Sequence, residues 1–283
     1  MIADDGSVTV FSSAAQTKAV DFATFAIPLA EGWGSAKSRK FRGAPLASAF
    51  RPFSSGDLAV AFESGIAMIP ECGSSEDFIA CKPTCFAWHP RGRLICFASD
   101  NKLFIADAAA PHLTPKCVAF IPHGATSLTW SENGGLAVGG PKRMRIFDAA
   151  WNVEVWNPGA ITSSWTADGK TLFGASRSAG VFRVLFPSKA TTGIVGAKEL
   201  NDIMVACGGG GNEDKVLQVS SDATGLRLAL VFERGINGIA FISILRKSAV
   251  VVPFDAPTFC AFSPQGLLAI SNGNAVKLVQ MAF

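Results

Sequence analysis

Only three histidines occur among the 283 residues, His89, His112 and His123. A Ser-His-Asp relay or a histidine metal cage needs imidazoles as bases or ligands, so such chemistry has little to draw on. The densest candidate set is Cys72, Cys81, Cys85 and His89. Structural zinc favours short paired spacings. Here eight, three and three residues intervene, and Cys85 and His89 fall at the two ends of one expected strand. A tetrahedron does not close across that span, so no metal is expected. Gly208 to Gly211 lacks the Gly-Lys-Ser/Thr that completes a phosphate loop. Gly139-Gly-Pro-Lys142 lacks a following helix whose N-terminus would hold phosphate. The adjacent carboxylates Asp4-Asp5, Glu76-Asp77 and Glu213-Asp214 read as solvated turn residues, and no Gly-x-Ser-x-Gly elbow occurs. His89, in Trp-His-Pro at a turn, suits capping better than catalysis. The expectation is a protein with no catalytic residues and no cofactor.

What must position these residues is a repeated frame. Six stations end a β-prone run and enter a polar turn: Phe50-Arg-Pro, Trp88-His-Pro-Arg-Gly92, Trp130-Ser-Glu-Asn-Gly134, Trp165-Thr-Ala-Asp-Gly169, Val219 with its turn to Gly225, and Phe262-Ser-Pro-Gln-Gly266. Their anchors stand 38, 42, 35, 54 and 43 residues apart. A period near forty, with strands on both sides of each turn, marks a β-propeller. In the fourth unit, Ile161–Trp165 reads as the inner strand and Thr166–Gly169 as the hairpin turn. Thr171–Ser176 and Gly180–Leu185 read as the next two strands. The apolar stretch Ile236–Phe254 is broken by Arg246, Lys247 and Pro253 into runs too short to span a bilayer, and reads as two neighbouring strands with a charged turn.

The ends do not match whole blades. Ser7–Phe11 and Val20–Ile27 read as third and fourth strands of a first blade without an inner strand, and only Gln280–Phe283 follow the last third strand. Six stations and this part-blade predict an all-β, seven-bladed WD-type β-propeller, with first and last blades incomplete. Residues 1–283 form one domain in this reading, with 187–212 as an inter-strand insertion. A partner supplies the missing strand, or the native protein is longer. Met-Ile-Ala-Asp-Asp has neither basic region nor apolar core and does not read as a signal peptide.

Composition agrees. Apolar residues make up 49% and charged residues 17%, and mean hydropathy is +0.32. Strands buried on both faces account for this; so does an apolar surface covered by a partner, and both readings stand. Seven scattered cysteines, several in strand-like runs, point to free buried thiols in a reducing compartment. A net charge of +3 is weak and does not argue for nucleic acid, so no direct nucleic-acid binding is expected. Lys37, Arg39, Lys40 and Arg42 read as a solvated linker. Phe at alternating positions reads as core, not as a base-stacking stripe. Lys142, Arg143 and Arg145 bracket a strand entry and form the best candidate rim for an acidic protein partner.

These units resemble degenerate WD repeats. The Trp-Asp pair is absent, and Asp107 and Asp148 stand where its Asp would be. Longer strings are similar to the Aladin family of WD-repeat nucleoporins. The best is Phe147-Asp-Ala-Ala-Trp151-Asn-Val-Glu-Val-Trp156-Asn-Pro158, an aromatic–acid–Ala segment with two Trp five apart. Around it, in the family's order, stand Asp4–Phe11, Phe50-Arg-Pro, Thr126–Ser131, Trp165–Gly169, Gly193–Lys198, Leu226–Leu230 and Phe262-Ser-Pro. The region that the family carries ahead of its first blade has no counterpart here, and many of its Trp positions are Phe. The resemblance implies a non-enzymatic scaffold of the nuclear pore complex. It would be held at the nuclear envelope through an integral membrane nucleoporin, with indirect membrane association, and would support nucleocytoplasmic transport. A WD-type adaptor in RNA processing or a ubiquitin ligase is the alternative. Trp151 and Trp156 are then either docking residues or simple outer-strand packing.

Overall fold

The computed structural model describes residues 7–10, 25–26, 37–40, 45–54, 57–70, 77–110, 112–176, 178, 180–187, 190–206, 216–233, 238–246, 248–262, 267–271 and 276–280. The turn 263–266, the run Gly208–Gly211 and the thiols Cys72 and Cys207 lie outside these residues.

The fold is all-β, and the described residues form seven sheets. The strands β1 (Ser7–Val10) and β3 (Lys37–Lys40) pair with each other, and β2 (Phe25–Ala26) falls between them in sequence. Then come β4 (Pro45–Phe50), β5 (Leu58–Phe62), β6 (Gly65–Ile69) and β7 (Asp77–Ala80) as one sheet in sequence order. A second sheet is β8 (Cys85–Trp88), β9 (Leu94–Ser99), β10 (Lys102–Asp107) and β11 (Lys116–Phe120). A third is β12 (Ser127–Trp130), β13 (Leu136–Gly139), β14 (Met144–Phe147) and β15 (Val153–Trp156). The fourth is β16 (Thr162–Trp165), β17 (Thr171–Ser176), β18 (Gly180–Leu185) and β19 (Ala190–Val195), followed by the helix α1 (Ala197–Ala206). The fifth is β20 (Val216–Ser221), β21 (Arg227–Phe232), β22 (Gly238–Ser243) and β23 (Ser248–Pro253). The last has β24 (Phe259–Phe262), β25 (Leu267–Ser271) and β26 (Val276–Gln280), with β2 as its fourth strand. The pairings within the six four-stranded sheets are antiparallel, as short meandering hairpins require. This is a seven-bladed WD-type propeller in which the first blade has two described strands and the last supplies three of its own.

By chain packing the molecule divides into two compact units, residues 1–9 with 38–159, and residues 10–37 with 160–283. In each, blades stack face to face through apolar side chains. In the first unit, Ile66 and Ala59 meet Trp88, Ile95 and Phe97, and on the other face Cys96 and Leu103 meet Leu136 and Val138. In the second unit, Phe173 and Val181 meet Val219, Leu228 and Leu230, while Ala229 and Ile239 meet Cys260, Leu268 and Ile270. A second strand is therefore buried on both faces, as β5 and β13 are throughout. The near-continuous apolar runs, and much of the positive hydropathy, come from this double burial.

Four differences from the sequence reading stand out. Lys37–Lys40 is the strand β3, not a linker, because pairing with β1 satisfies backbone groups that its charged side chains do not disfavour. The described part of Val20–Ile27 is β2, and its partner is β26, with Phe25 opposite Leu278 and Ala26 opposite Lys277. Within the expected insertion 187–212, Ala190–Val195 is the regular outer strand β19, and among the described residues the helix that follows is what is additional. The turn glycines also correct one anchor. Gly92, Gly134, Gly169 and Gly225 share a left-handed φ of 66–80°. Each donates to the carbonyl of the residue three positions earlier: His89, Ser131, Thr166 and Asp222. Counting back from Gly225 puts Ser221, not Val219, in register with Trp88, Trp130 and Trp165. Val219 stands two residues earlier, on the same face, buried in the seam.

Candidate protein-interaction surfaces

The station residues close turns and join neighbouring blades. Phe50 ends β4 and is 56% exposed. Trp88 ends β8, is buried, and donates its Nε1–H to the carbonyl of Ala49 in the preceding blade at 3.1 Å. Arg51 lies over the same indole, 5.9 Å from its centre, and donates to the Gly92 carbonyl at 2.6 Å. Trp130, Trp165 and Phe262 end β12, β16 and β24 in the same way. The residue after the anchor locks each turn with whatever polar group it has. Ser131 Oγ accepts from the Gly135 amide, Thr166 Oγ1 from the Thr171 amide, and Asp222 Oδ1 from Leu226 and Arg227. The turn geometry is thus kept while its chemistry varies.

The five candidate docking residues do not form one patch. Lys142 and Arg143 are exposed in the loop between β13 and β14, and Arg145 is half-buried within β14. Trp156 faces Met144 across the ladder, at this same end of the blade. Burial and the neighbouring Arg143 pull the Arg145 pKa down. The loop is held by close backbone approach, since a side-chain carbon at Gly159 would stand 2.8 Å from the Arg143 amide nitrogen. Trp151 lies at the opposite end, in the loop Asp148–Asn152 before β15.

That loop is a tight acid-centred turn. Asp148 Oδ1 accepts the amides of Ala150 and Asn152, and Oδ2 accepts the Asn152 side chain, each at 2.9 Å. These bonds, the Asn152 side chain foremost, hold the carboxyl below its ordinary pKa. Trp151 takes a left-handed φ of 64°, which turns its ring back onto the blade. It meets Trp130 edge-on with ring centres 6.2 Å apart, and Phe147 at 5.8 Å. Trp130 in turn receives His89 of the neighbouring blade at 4.8 Å. Trp151 is therefore half-buried packing at the blade end. His89 is a capping residue whose Nδ1 accepts the Arg91 amide at 3.1 Å. Burial, then Arg91, lower its pKa, against an opposing pull from Glu132.

Two further surfaces come only from the structure. The outer strands display large apolar side chains: Phe78 on β7, Phe120 on β11, Val153 and Val155 on β15 and Val250 on β23, all 49–64% exposed. Sequence alone did not separate these from core residues, because each strand mixes exposed and half-buried positions. The second surface is a cleft of about 510 Å³ in the second unit. It is bounded by α1, the edge strand β19 and the β22–β23 hairpin, and Arg183 of β18 reaches into it.

Among the described residues no three His, Cys, Asp or Glu side chains gather as metal ligands. Burial pushes the Cys85 and Cys260 thiols up to about 12 and Cys81 to about 11, so none of the three is a thiolate at neutral pH.

No protein-family profile and no curated protein matches the chain. Among solved structures it is similar to the β-propeller domain of Myceliophteria thermophila Cps50 (Swd1), with a TM-score of 0.66 and 15% identity. The match covers 87% of this chain and 86% of that one. Likeness at this identity speaks to the fold alone, a WD-type propeller.

Proposed function

We propose that this chain is a non-enzymatic protein-interaction scaffold of the nuclear pore complex, similar to the Aladin nucleoporins. In this reading residues 1–283 act as one propeller held at the nuclear envelope by an integral membrane nucleoporin. The observation that carries the scaffold reading is that outer strands of several blades each expose large apolar side chains, Phe78, Phe120, Val153, Val155 and Val250. Surfaces of this kind suit stable protein contacts, which bury roughly 800 Å² or more per partner. The pore assignment draws support from the ordered strings around Phe147–Pro158. Attachment through another protein follows from the resemblance; among the described residues no helix is long and apolar enough to cross a membrane.

The test is a fluorescent tag on the native protein together with affinity capture and mass spectrometry. A nuclear-rim signal with pore components in the capture is expected. A diffuse cytoplasmic signal, or a capture of RNA-processing or ubiquitin-ligase subunits without pore proteins, overturns the pore assignment and favours the other adaptor reading.

A further inference from the structure

The cleft beside α1 combines three features that the rest of the described surface does not bring together. Its floor is apolar, with Ile194 of β19, Ile203 of α1 and Ile244 of the β22–β23 turn packed at the margin of the inter-blade core. Its wall is a free sheet edge. The fourth sheet runs in the order β16-β17-β18-β19, so β19 has a strand on one side only among the described residues. Gly193 on that edge faces open space, with nothing within 4 Å of where a side chain would begin. Its charges are separated by sign. Arg183 comes from β18, and Glu199 and Asp202 come from α1.

Arg183 is the informative residue. It stands in register between Phe173 and Thr192, on the face that packs against the fifth sheet. Its Nε–H is buried and has no hydrogen-bond partner. No ion pair joins it to Glu199 or Asp202, although all three line the same cleft. A buried guanidinium donor without an acceptor is costly, and a carboxylate is the acceptor that matches it best. The two exposed carboxylates of α1 set the opposite demand at the other side of the cleft.

We propose that this cleft binds an extended peptide segment of a protein partner, which adds to the edge of β19. An acidic residue meets Arg183, an apolar residue fills the isoleucine floor, and a basic residue meets Glu199 and Asp202. The proposal rests on the scaffold reading above and names a docking mode for it. Strand addition fits because main-chain hydrogen bonds to an open edge give affinity, while pockets for alternate side chains give selectivity. The volume suits a few side chains and excludes a folded element. Two charges of opposite sign, offered from different elements, favour a ligand long enough to carry both.

The experiment pans a displayed library of random seven-residue peptides against the purified chain, then measures enriched synthetic peptides by calorimetry. The expected winners carry an acid and a base on either side of an apolar residue. Arg183→Met keeps the aliphatic stem and removes the donor; it should weaken those peptides about tenfold or more. Should that variant fold poorly by circular dichroism, the pair Glu199→Lys and Asp202→Lys gives the answer at exposed positions, reversing the preference from a base to an acid. Absence of enrichment, winners lacking either charge, or indifference to both sets of changes overturns the proposal. Displacement of the peptides by free leucine also overturns it, in favour of a small-molecule pocket. The outcome is separable from the scaffold reading. If wild type captures pore components and the cleft variants capture the same set, the cleft falls and the scaffold stands. If wild type captures none, the pore scaffold itself falls.

Discussion

The blade end around Trp151 and the cleft around Arg183 are two answers to one problem, how to finish a four-stranded blade at its outer side. In the first, the chain between the third and fourth strands folds its tryptophan back over Trp130 and Phe147, and an acid-centred turn locks it there. In the second, the chain after the fourth strand rises into α1, whose Leu200 reaches the core while Glu199 and Asp202 stay outside. The first end is filled by aromatic rings, and its acid-centred turn bonds Asp148 to Asn152, although the buried Trp130 Nε1–H has no hydrogen-bond partner. The second leaves about 510 Å³ open and an arginine nitrogen without an acceptor. A filled end contributes stability; an open one, kept by the same chain, points to recognition.

Mutations can break that contrast. The largest effect is expected in the closed seam of the second unit, where Leu228 is fully buried. Leu228→Ala should cost about 2–5 kcal/mol in urea unfolding followed by circular dichroism. Ile203→Ala, on the half-buried cleft floor, should cost about 1 kcal/mol or less. Equal losses at the two sites would mean that the cleft is packed as tightly as the seam.

A middle effect is expected at the filled end. Trp151→Ala should cost about 2 kcal/mol through lost ring contacts and burial. Trp151→Gly should recover part of this, about 0.5–1 kcal/mol, because the φ of 64° suits glycine. An alanine variant as stable as the parent would sink the view that this ring is structural.

The smallest effect is a pH dependence at the same end. His89 has a folded pKa below its ordinary 6.5, through burial and Arg91. Between the folded and unfolded values the unfolded chain binds more protons, so stability rises with pH there. The His89 contribution is complete above 6.5 and is lost as pH falls through the lowered folded value. Melting curves of the parent and His89→Gln should converge in acid and separate toward pH 7.5. A parent whose stability gained from acid relative to the variant would reverse the assigned cause.

Much of the frame was legible because two signals coincide in it. The second strands carry continuous apolar runs, and a glycine with positive φ stands four residues after Trp88, Trp130 and Trp165. The outer strands were harder. β7, β11 and β23 alternate poorly, since one edge meets solvent and one face is only half covered. A two-residue strand such as β2 has no period at all. The cleft was illegible for another reason: Arg183, Glu199 and Asp202 look like ordinary surface charges until β18 and α1 are brought side by side. Val219 stands out in the sequence as the apolar residue of its unit, whereas the turn register is set by Gly225, whose amide donates to Asp222.

The pairing of Phe25 with Leu278 has a temporal consequence. A ribosome releases residue 25 long before residue 278 exists, so the early segment must wait, unpaired, while every intervening blade is made. The final sheet is the one whose completion reports that synthesis has reached β26. A chain stalled upstream of β26 would leave β2 without that partner.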